Sequence, residues 1–406
     1  MSDPSTTKDT EPLARLREMP VLLFIRGLGM VLFAVGLVAG LHGYLGLRLI
    51  RDAGAVGPAA VALWMLLWAL FLSMPLGVLA SRTLPRRVGL ALQWVSHLWM
   101  GTFGLLLTAT AASDLALALA GLFGLTPAAR SLFWGQAEAG AVWSLVVPSV
   151  AVGFVTARGR VRVVRVKVPI RGLGAGFEDF RLVQLTDLHV GDTLDRRWLA
   201  RVVAQVNSLE PDLVVITGDL VDGPVRRLRD EVAPLAELFP KRGTFFVTGN
   251  HEYYSGVGGW VAELRRLGLT VLLNEHRVLE AGNDALVVGG VTDHDAGRFG
   301  AEHAPRPDLA FAGAPEGAPR LLLAHQPRTA RLARDEKVSL QLSGHTHGGQ
   351  MFPWMFLVRL QQPVISGLAT LWGVPVYTSK GTGYWGPPLR LGARPELTEI
   401  TLTRAV

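Results

Sequence analysis

Apolar and polar residues are distributed on two different scales along this chain, and the change falls near residue 157. Upstream, apolar residues run almost unbroken through 27–47, 58–80, 89–112 and 139–157. Each stretch is close to the ~20 residues that a helix needs to cross a bilayer core. The pattern predicts a bundle of four transmembrane α-helices. A further apolar stretch, Leu115–Leu125, is short and either lengthens the third span or lies at the interface. Gly36 and Gly40 form a small-xxx-small face suited to close helix packing. Downstream, apolar residues come in short runs rich in Val, Ile, Leu and Phe, which read as buried strands. These alternate with helical stretches at Asp195–Ser208 and Gly258–Leu267. In the first helix Trp198, Val202, Val203 and Val206 recur at helical spacing and are expected to face a sheet. The segment Arg160-Val161-Arg162-Val163 reads as a strand opening this half, and Gly297–Pro319, rich in Gly, Ala and Pro, as a surface loop. The chain therefore divides into a transmembrane domain, 1–157, and an α/β domain, 158–406.

Charge orients that division. Arg82, Arg86 and Arg87 follow the second span, and Arg158, Arg160, Arg162, Arg165 and Lys167 follow the fourth. The other loops hold only Arg48, Arg51 and Arg130. Cytoplasmic loops carry the excess of Lys and Arg, so both termini and the α/β domain are expected on the cytoplasmic side of the membrane. Residues 1–20 read as a short polar tail; a cleaved signal is disfavoured because the first span is long and others follow. The net charge of +7 borders apolar segments, which points to membrane lipids as partners rather than nucleic acid. The chain has no cysteine, which excludes disulfides, thiolate metal sites and a cysteine nucleophile. His42 and His97 fall inside spans and Glu138 borders one. Helix-packing hydrogen bonds account for them better than paired haem ligands, since no flanking pattern supports haem.

The chemistry lies downstream. Leu342-Ser343-Gly344-His345-Thr346-His347-Gly348-Gly349-Gln350 carries two histidines one residue apart between glycines that permit tight turns. Four other polar clusters each follow a strand-like run: Asp187-Leu188-His189, Gly218-Asp219-Leu220-Val221-Asp222, Gly249-Asn250-His251-Glu252 and His325-Gln326-Pro327. Ligand groups in open α/β sheets gather beyond the carboxyl ends of strands. The order of elements thus delivers Asp, His, Asp, Asn, His, His and His to one rim. Carboxylate, amide oxygen and neutral imidazole suit hard or borderline divalent cations, and seven such donors are too many for one ion.

The ordered series DxH, GDxxD, GNHE, a lone His and GHxH resembles the calcineurin-like metallophosphoesterase superfamily over roughly Val161–Leu402. The flanks Gly249–Gly256 and Gly344–Gln350 resemble its membrane-anchored bacterial branch. The resemblance implies a four-layer αββα sandwich and two divalent ions, Mn, Fe, Zn or Ni. It implies that Asp187, His189, Asp219 and His347 hold one ion, and that Asp219, Asn250, His325 and His345 hold the other, with Asp219 bridging. It further implies His251 beside the leaving-group oxygen as general acid, oriented by Asp222, with Glu252 a structural acceptor.

The expected reaction is hydrolysis of a phosphodiester or pyrophosphate of a lipid-linked substrate, one possibility being of the UDP-diacylglucosamine type. The rivals are a phosphomonoesterase or phosphoprotein phosphatase, and a non-catalytic membrane sensor or scaffold. Phosphoprotein phosphatases carry Arg where this chain has Gly223, which weakens that rival. Arg328 is a candidate phosphate binder or a plain surface residue. Met351-Phe352-Pro353-Trp354-Met355-Phe356-Leu357 reads either as core or as an apolar flap touching the bilayer or lining an acyl groove, which Trp372, Tyr384 and Trp385 would extend.

Overall fold

A computed structural model describes residues 21–124 and 132–405; the polar tail at 1–20 and Arg130 lie outside them. The apolar stretches form four helices: α1 (Val21–Gly46), which continues through a π turn at Leu47–Arg51, α2 (Gly57–Thr83), α3 (Arg86–Leu122) and α4 (Leu132–Arg158). All four are long and apolar enough to cross a membrane. The Leu115–Leu122 stretch simply prolongs α3, and Glu138 lies inside α4. What lets α3 run past its polar interruption is Asp114. Its carboxylate accepts from the Tyr44 hydroxyl (2.6 Å) and from Arg48 Nε (3.0 Å), so the charge is paired where an isolated one would be costly.

The chain forms two compact units, Met1–Pro75 with Phe103–Val146, and Leu76–Thr102 with Val147–Val406. In the first unit one close helix approach is at Gly46, where an added Cβ would lie 2.2 Å from the Trp64 ring. Gly36 and Gly40 have nothing within 4 Å of a Cβ. A small-residue pattern permits close approach on one face but does not determine which turn meets a neighbour. His42 is fully buried here; its Nδ1 lies 2.8 Å from the Val38 carbonyl oxygen and its ring stacks on Phe103 at 4.0 Å. The Nδ1 hydrogen bond stays within α1, and the contact with Phe103 of α3 is made by the ring rather than by the expected packing hydrogen bond.

The second unit contains two six-stranded sheets. One has the order β1 (Arg162–Ile170), β12 (Glu396–Arg404), β2 (Phe180–Leu185), β3 (Leu213–Thr217), β4 (Thr244–Val247), β5 (Thr270–Val271). The other has β10 (Gly367–Leu371), β11 (Val374–Thr378), β9 (Leu340–Ser343), β8 (Arg320–Leu323), β7 (Asp284–Gly290), β6 (Glu275–Ala281). The short apolar runs are buried on both faces, and strand alternation sorts them. Leu213 and Val215 of β3 meet Leu321, Leu323, Leu340 and Leu342 of the opposing sheet. Val214 and Ile216 point the other way, onto Trp198, Val202, Val203 and Val206 of the helix Arg196–Asn207. Asp195 caps that helix by accepting from the Trp198 backbone N–H at 3.0 Å, which satisfies one of its free first-turn donors. On the far side Val287, Leu322 and Val376 pack with Ala310 and Phe311. The result is the αββα sandwich. The Gly297–Pro319 segment is more than a surface loop: Pro307–Ala310 makes a helical turn, and Phe311 plugs onto Gly289, where a Cβ would meet its ring at 2.6 Å.

Candidate metal centre

Five strands end at the site: β2, β3 and β4 of one sheet, and β8 and β9 of the other. Asp187, Asp219, Asn250, His325 and His345 each follow one of them by two to three residues. The donors converge from two sheets, rather than along the rim of one, because the sheets face each other with these strand ends together. The chain turns away from each strand abruptly. Asp187, His189, Asp219, His345 and His347 all have positive φ, between 47° and 69°. Such conformations cost non-glycine residues energy and gather where function demands them. Gly218 and Gly249 make the crossing possible: a Cβ on Gly218 would sit 2.5 Å from the Gly249 nitrogen, and one on Gly249 would sit 2.2 Å from Asp219 Oδ1.

Among the described residues three sets of donors could each hold a metal ion: Asp187 with His189 and His347, Asp219 with His325 and His345, and His189 with Asp222 and His251, of which the first two match the expected ligands. In the first, His189 Nε2 and His347 Nε2 lie 3.1 Å apart and Asp187 Oδ1 is 3.5 Å from His347 Nε2. In the second, His325 Nε2 lies 3.1 Å from both Asp219 Oδ2 and His345 Nδ1. Asp219 Oδ2 is also 3.9 Å from His189 Nε2, so one carboxylate faces both sets. The outer nitrogens of two of these rings are already engaged: His189 Nδ1 with Asp222 Oδ1 (2.9 Å) and His325 Nδ1 with the Thr217 carbonyl (2.8 Å). With a proton on each of those nitrogens, the Nε2 lone pairs point inward, the orientation that outer hydrogen bonds impose on metal-ligating histidines. Asn250 Oδ1 is buried without a hydrogen-bond partner. A buried amide oxygen left unpaired is expensive, and a bound cation is one partner that would satisfy it. The donor set therefore fits two divalent ions.

Without cations the electrostatics divide the donors. Burial works against a charged His325, but the Asp219 carboxylate raises it well above its usual value, and burial pushes the Asp187 carboxyl up. His345, His347 and Asp219 go the other way. Burial, helped by the neighbouring His325 charge, pushes His345 down to about 3, and burial with Arg390 pushes His347 well down, so both are neutral donors at ordinary pH. Burial opposes ionisation of Asp219, yet the surrounding histidines, His325 first, hold its carboxyl well below the usual range.

A sequence model of the calcineurin-like phosphoesterase family matches residues 180–349, the span that contains these donors. An uncharacterised metallophosphoesterase of Aquifex aeolicus is 34% identical over 226 residues, 55% of this chain and 85% of that protein. A transmembrane protein with metallophosphoesterase domain from Danio rerio is 39% identical over 274 residues, 65% of this chain and 63% of that protein, so the match spans less than two thirds of that relative's length. Among solved structures, a 5'-nucleotidase precursor from Thermus thermophilus aligns at 17% identity and TM-score 0.36, covering 55% of this chain and 54% of that one. The chain belongs to the calcineurin-like metallophosphoesterase family.

Around the metallophosphoesterase donors stand the groups expected to act on substrate. His251 Nδ1 lies 2.6 Å from Asp222 Oδ1, and its Nε2 is 4.0 Å from Asp219 Oδ2. Asp222 thus contacts two imidazoles, His189 as well as His251, a double duty that the sequence did not reveal. Burial works against a charged His251, but Asp219 and the Asp222 hydrogen bond raise it to about 9. Glu252 is a structural acceptor: Oε2 accepts from the Asp219 N–H (3.0 Å) and the Gly249 N–H (2.6 Å), and Oε1 from the Leu220 N–H (2.8 Å). It ties two ligand loops together. Trp385 and Tyr254 meet the His251 ring edge-on at 5.8 and 5.4 Å, whereas Tyr384 is core, with its hydroxyl near the Thr193 carbonyl. Arg328 is half-buried and committed to Gln326 Oε1 (2.7 Å) and Asp295. At Gly223, the phosphoprotein phosphatase arginine position, the carbonyl accepts from Trp260 Nε1 at 2.9 Å.

Sequence reasoning missed Arg390. It is buried, and its guanidinium donates to the carbonyls of His347 (2.7 Å), Lys380 (2.8 Å) and Gly383 (3.2 Å), with Nη2 lying 3.0 Å from His347 Nδ1. A planar fork of five donors suits such a cluster of carbonyls. In the sequence it is one arginine in an undistinguished loop, over forty residues from its target.

Proposed function

We propose that this chain is a membrane-anchored, two-metal phosphoesterase, with 1–157 as its membrane domain and 158–406 as its catalytic domain on the cytoplasmic face of a bacterial inner membrane. The observation that supports the reading is the gathering of Asp187, His189 and His347 and of Asp219, His325 and His345, with Asp219 Oδ2 3.9 Å from His189 Nε2 and the Asn250 amide oxygen buried and unpaired. One ion is assigned to Asp187, His189, Asp219 and His347, and the other to Asp219, Asn250, His325 and His345. Mn, Fe, Zn and Ni all suit nitrogen and oxygen donors of this kind. When bound, such ions neutralise phosphate oxygens and activate water near neutral pH.

The chain's own residues do the rest. His251, raised by its carboxylate neighbours, carries a proton at neutral pH. Its Nδ1 is held by Asp222, which leaves Nε2–H free to donate to the departing oxygen, the alkoxide of a diester or the phosphate of a pyrophosphate, as general acid. Asp222 fixes the ring, and Glu252 fixes the loops on which Asp219 and Asn250 ride.

For substrate we infer a phosphodiester or pyrophosphate of a lipid-linked molecule, of which a UDP-diacylglucosamine-type compound is one. The apolar rings of Trp385 and Tyr254 beside His251, and the exposed Phe352 and Phe356 beyond the His-x-His turn, support an amphiphilic ligand. The engaged state of Arg328 and the carbonyl at Gly223 leave little specialised for a phosphoserine monoester. The test is a metal-reconstituted screen of the full chain over lipid-linked pyrophosphates, glycerophosphodiesters and monoesters, with Asp219→Asn as blank. Turnover confined to monoesters would end the lipid proposal; ligand binding without any turnover would favour a sensor or scaffold.

A further inference from the structure

After the His-x-His turn the chain does something unusual for a polar surface. The helix Met355–Gln361 presents Phe356, Leu357 and Leu360 outward, and Phe352 packs edge-on to Phe356 at 6.0 Å beside them. Leu360 is 84% exposed, and the other three are each more than half exposed. None of the helix's residues is buried, so this face contributes nothing to the core. Yet the helix is firmly seated. Gly349 lies so close beneath it that a Cβ there would meet Met355 at 2.3 Å. The following Gln362 is buried and donates to Gln326 Oε1 at 3.2 Å, and the Thr346 hydroxyl donates to the Ile365 carbonyl at 2.7 Å.

The surface continues into contacts with apolar helices of the same compact unit. Phe352 N–H donates to the Leu391 carbonyl at 3.0 Å. The Leu389–Leu391 strip then packs on α4, where a Cβ on Gly153 would lie 3.2 Å from Leu391, and on α3, where one on Gly101 would lie 2.5 Å from Leu389. Arg390 N–H donates to the Gly153 carbonyl at 3.0 Å. The exposed apolar face is thus one hydrogen-bonded strand away from two helices suited to a lipid environment. It also carries an exposed cation, Arg359, of the kind that binds lipid phosphate while aliphatic and aromatic neighbours enter the acyl boundary.

We propose that Phe352, Phe356, Leu357 and Leu360 form a membrane-docking surface that dips into the lipid interface next to the metal centre. This rests on reading α3 and α4 as membrane spans, and it is independent of whether the substrate is lipid-linked. Four large apolar side chains at the interface are adjacent to the turn that carries His345 and His347, so docking would bring the metal centre down to the headgroup layer. A second copy of this chain is the competing occupant.

The absence of cysteine makes the test clean. Leu360→Cys in the full-length protein, labelled with a nitroxide and reconstituted in phosphatidylcholine–phosphatidylglycerol nanodiscs, reports collisions with oxygen and with a water-soluble nickel chelate. Phe33→Cys on α1 serves as the lipid reference and Asp335→Cys as the water reference. The expected result is oxygen accessibility at 360 close to that at 33, and nickel accessibility several-fold below that at 335. Nickel accessibility equal to that at 335 overturns the proposal. Spin–spin broadening at 360 would also overturn it, in favour of self-association. Running the same measurement on Asp219→Asn separates docking from catalysis: loss of turnover with the label still in lipid would leave docking standing.

Discussion

His42 and His325 are both fully buried, and each directs Nδ1 to a backbone carbonyl at 2.8 Å. Their surroundings divide from there. The other side of His42 is filled by aromatic rings, Phe103 stacked and Phe71 edge-on at 5.1 Å. The other side of His325 faces Asp219 and His345, while the Asn250 amide oxygen is buried unpaired and five of the seven donors hold left-handed backbone. Burial of a histidine is therefore no sign of a site. What distinguishes a site is convergence of donors that do not satisfy one another, held on backbone that costs energy to hold there.

That contrast is most severely tested at Asp219. Asp219→Asn is expected to abolish phosphoester turnover and to drop metal content, since its carboxylate faces both donor sets; elemental analysis of purified protein reads the second effect. If the variant kept two ions and full activity, the shared-carboxylate centre would be wrong. Chelation should lower the melting temperature of the unsubstituted protein and leave that of Asp219→Asn nearly unmoved.

Next in size come the two residues beside the metals. His251→Ala should lower kcat by roughly 10²–10⁴ with metal content intact, the range for a lost general acid. Asp222→Asn should cost about 10–100-fold, as an outer partner of a metal ligand does, and should weaken metal retention as well, because Asp222 also holds His189. Equal effects of both variants on metal content would show that His251 is itself a ligand.

Arg390→Met removes the cation that gathers the His347, Lys380 and Gly383 carbonyls. Hydrogen bonds to charged groups contribute about 1.5–3 kcal/mol, so its melting temperature should fall visibly, and activity should drop through a displaced His347. The smallest effect belongs to the other histidine. His42→Phe keeps the ring stack and loses one hydrogen bond, about 1 kcal/mol, with kcat unchanged. A marked loss of activity there would erase the contrast.

Much of this was legible along the chain. Long apolar runs can satisfy their backbone in lipid only as helices, and α1 to α4 follow. The helical spacing of Trp198, Val202, Val203 and Val206 told which helix face meets a sheet, and the family resemblance implied the αββα layers. The donor residues stood out as polar clusters after strand-like runs, where local sequence controls backbone direction, and the family resemblance supplied the His251–Asp222 pairing, whose side chains lie 2.6 Å apart. Other features were not legible. Gly46 rather than Gly36 meets a neighbouring helix, Asp114 finds Tyr44 and Arg48, and Arg390 reaches back to His347. Each of these depends on which residues far apart in sequence are brought together.

The sequence by itself determined which residues can bind metal and in what order they arrive, since periodicity and residue chemistry are local properties. Only the tertiary structure decided that the donors come from two facing sheets, that Asp222 serves two histidines, and that the helix after His347 bares its apolar side. Those are matters of distance between segments, and distance is set by how two sheets pack through the Leu213–Leu342 core, which no short window of sequence contains.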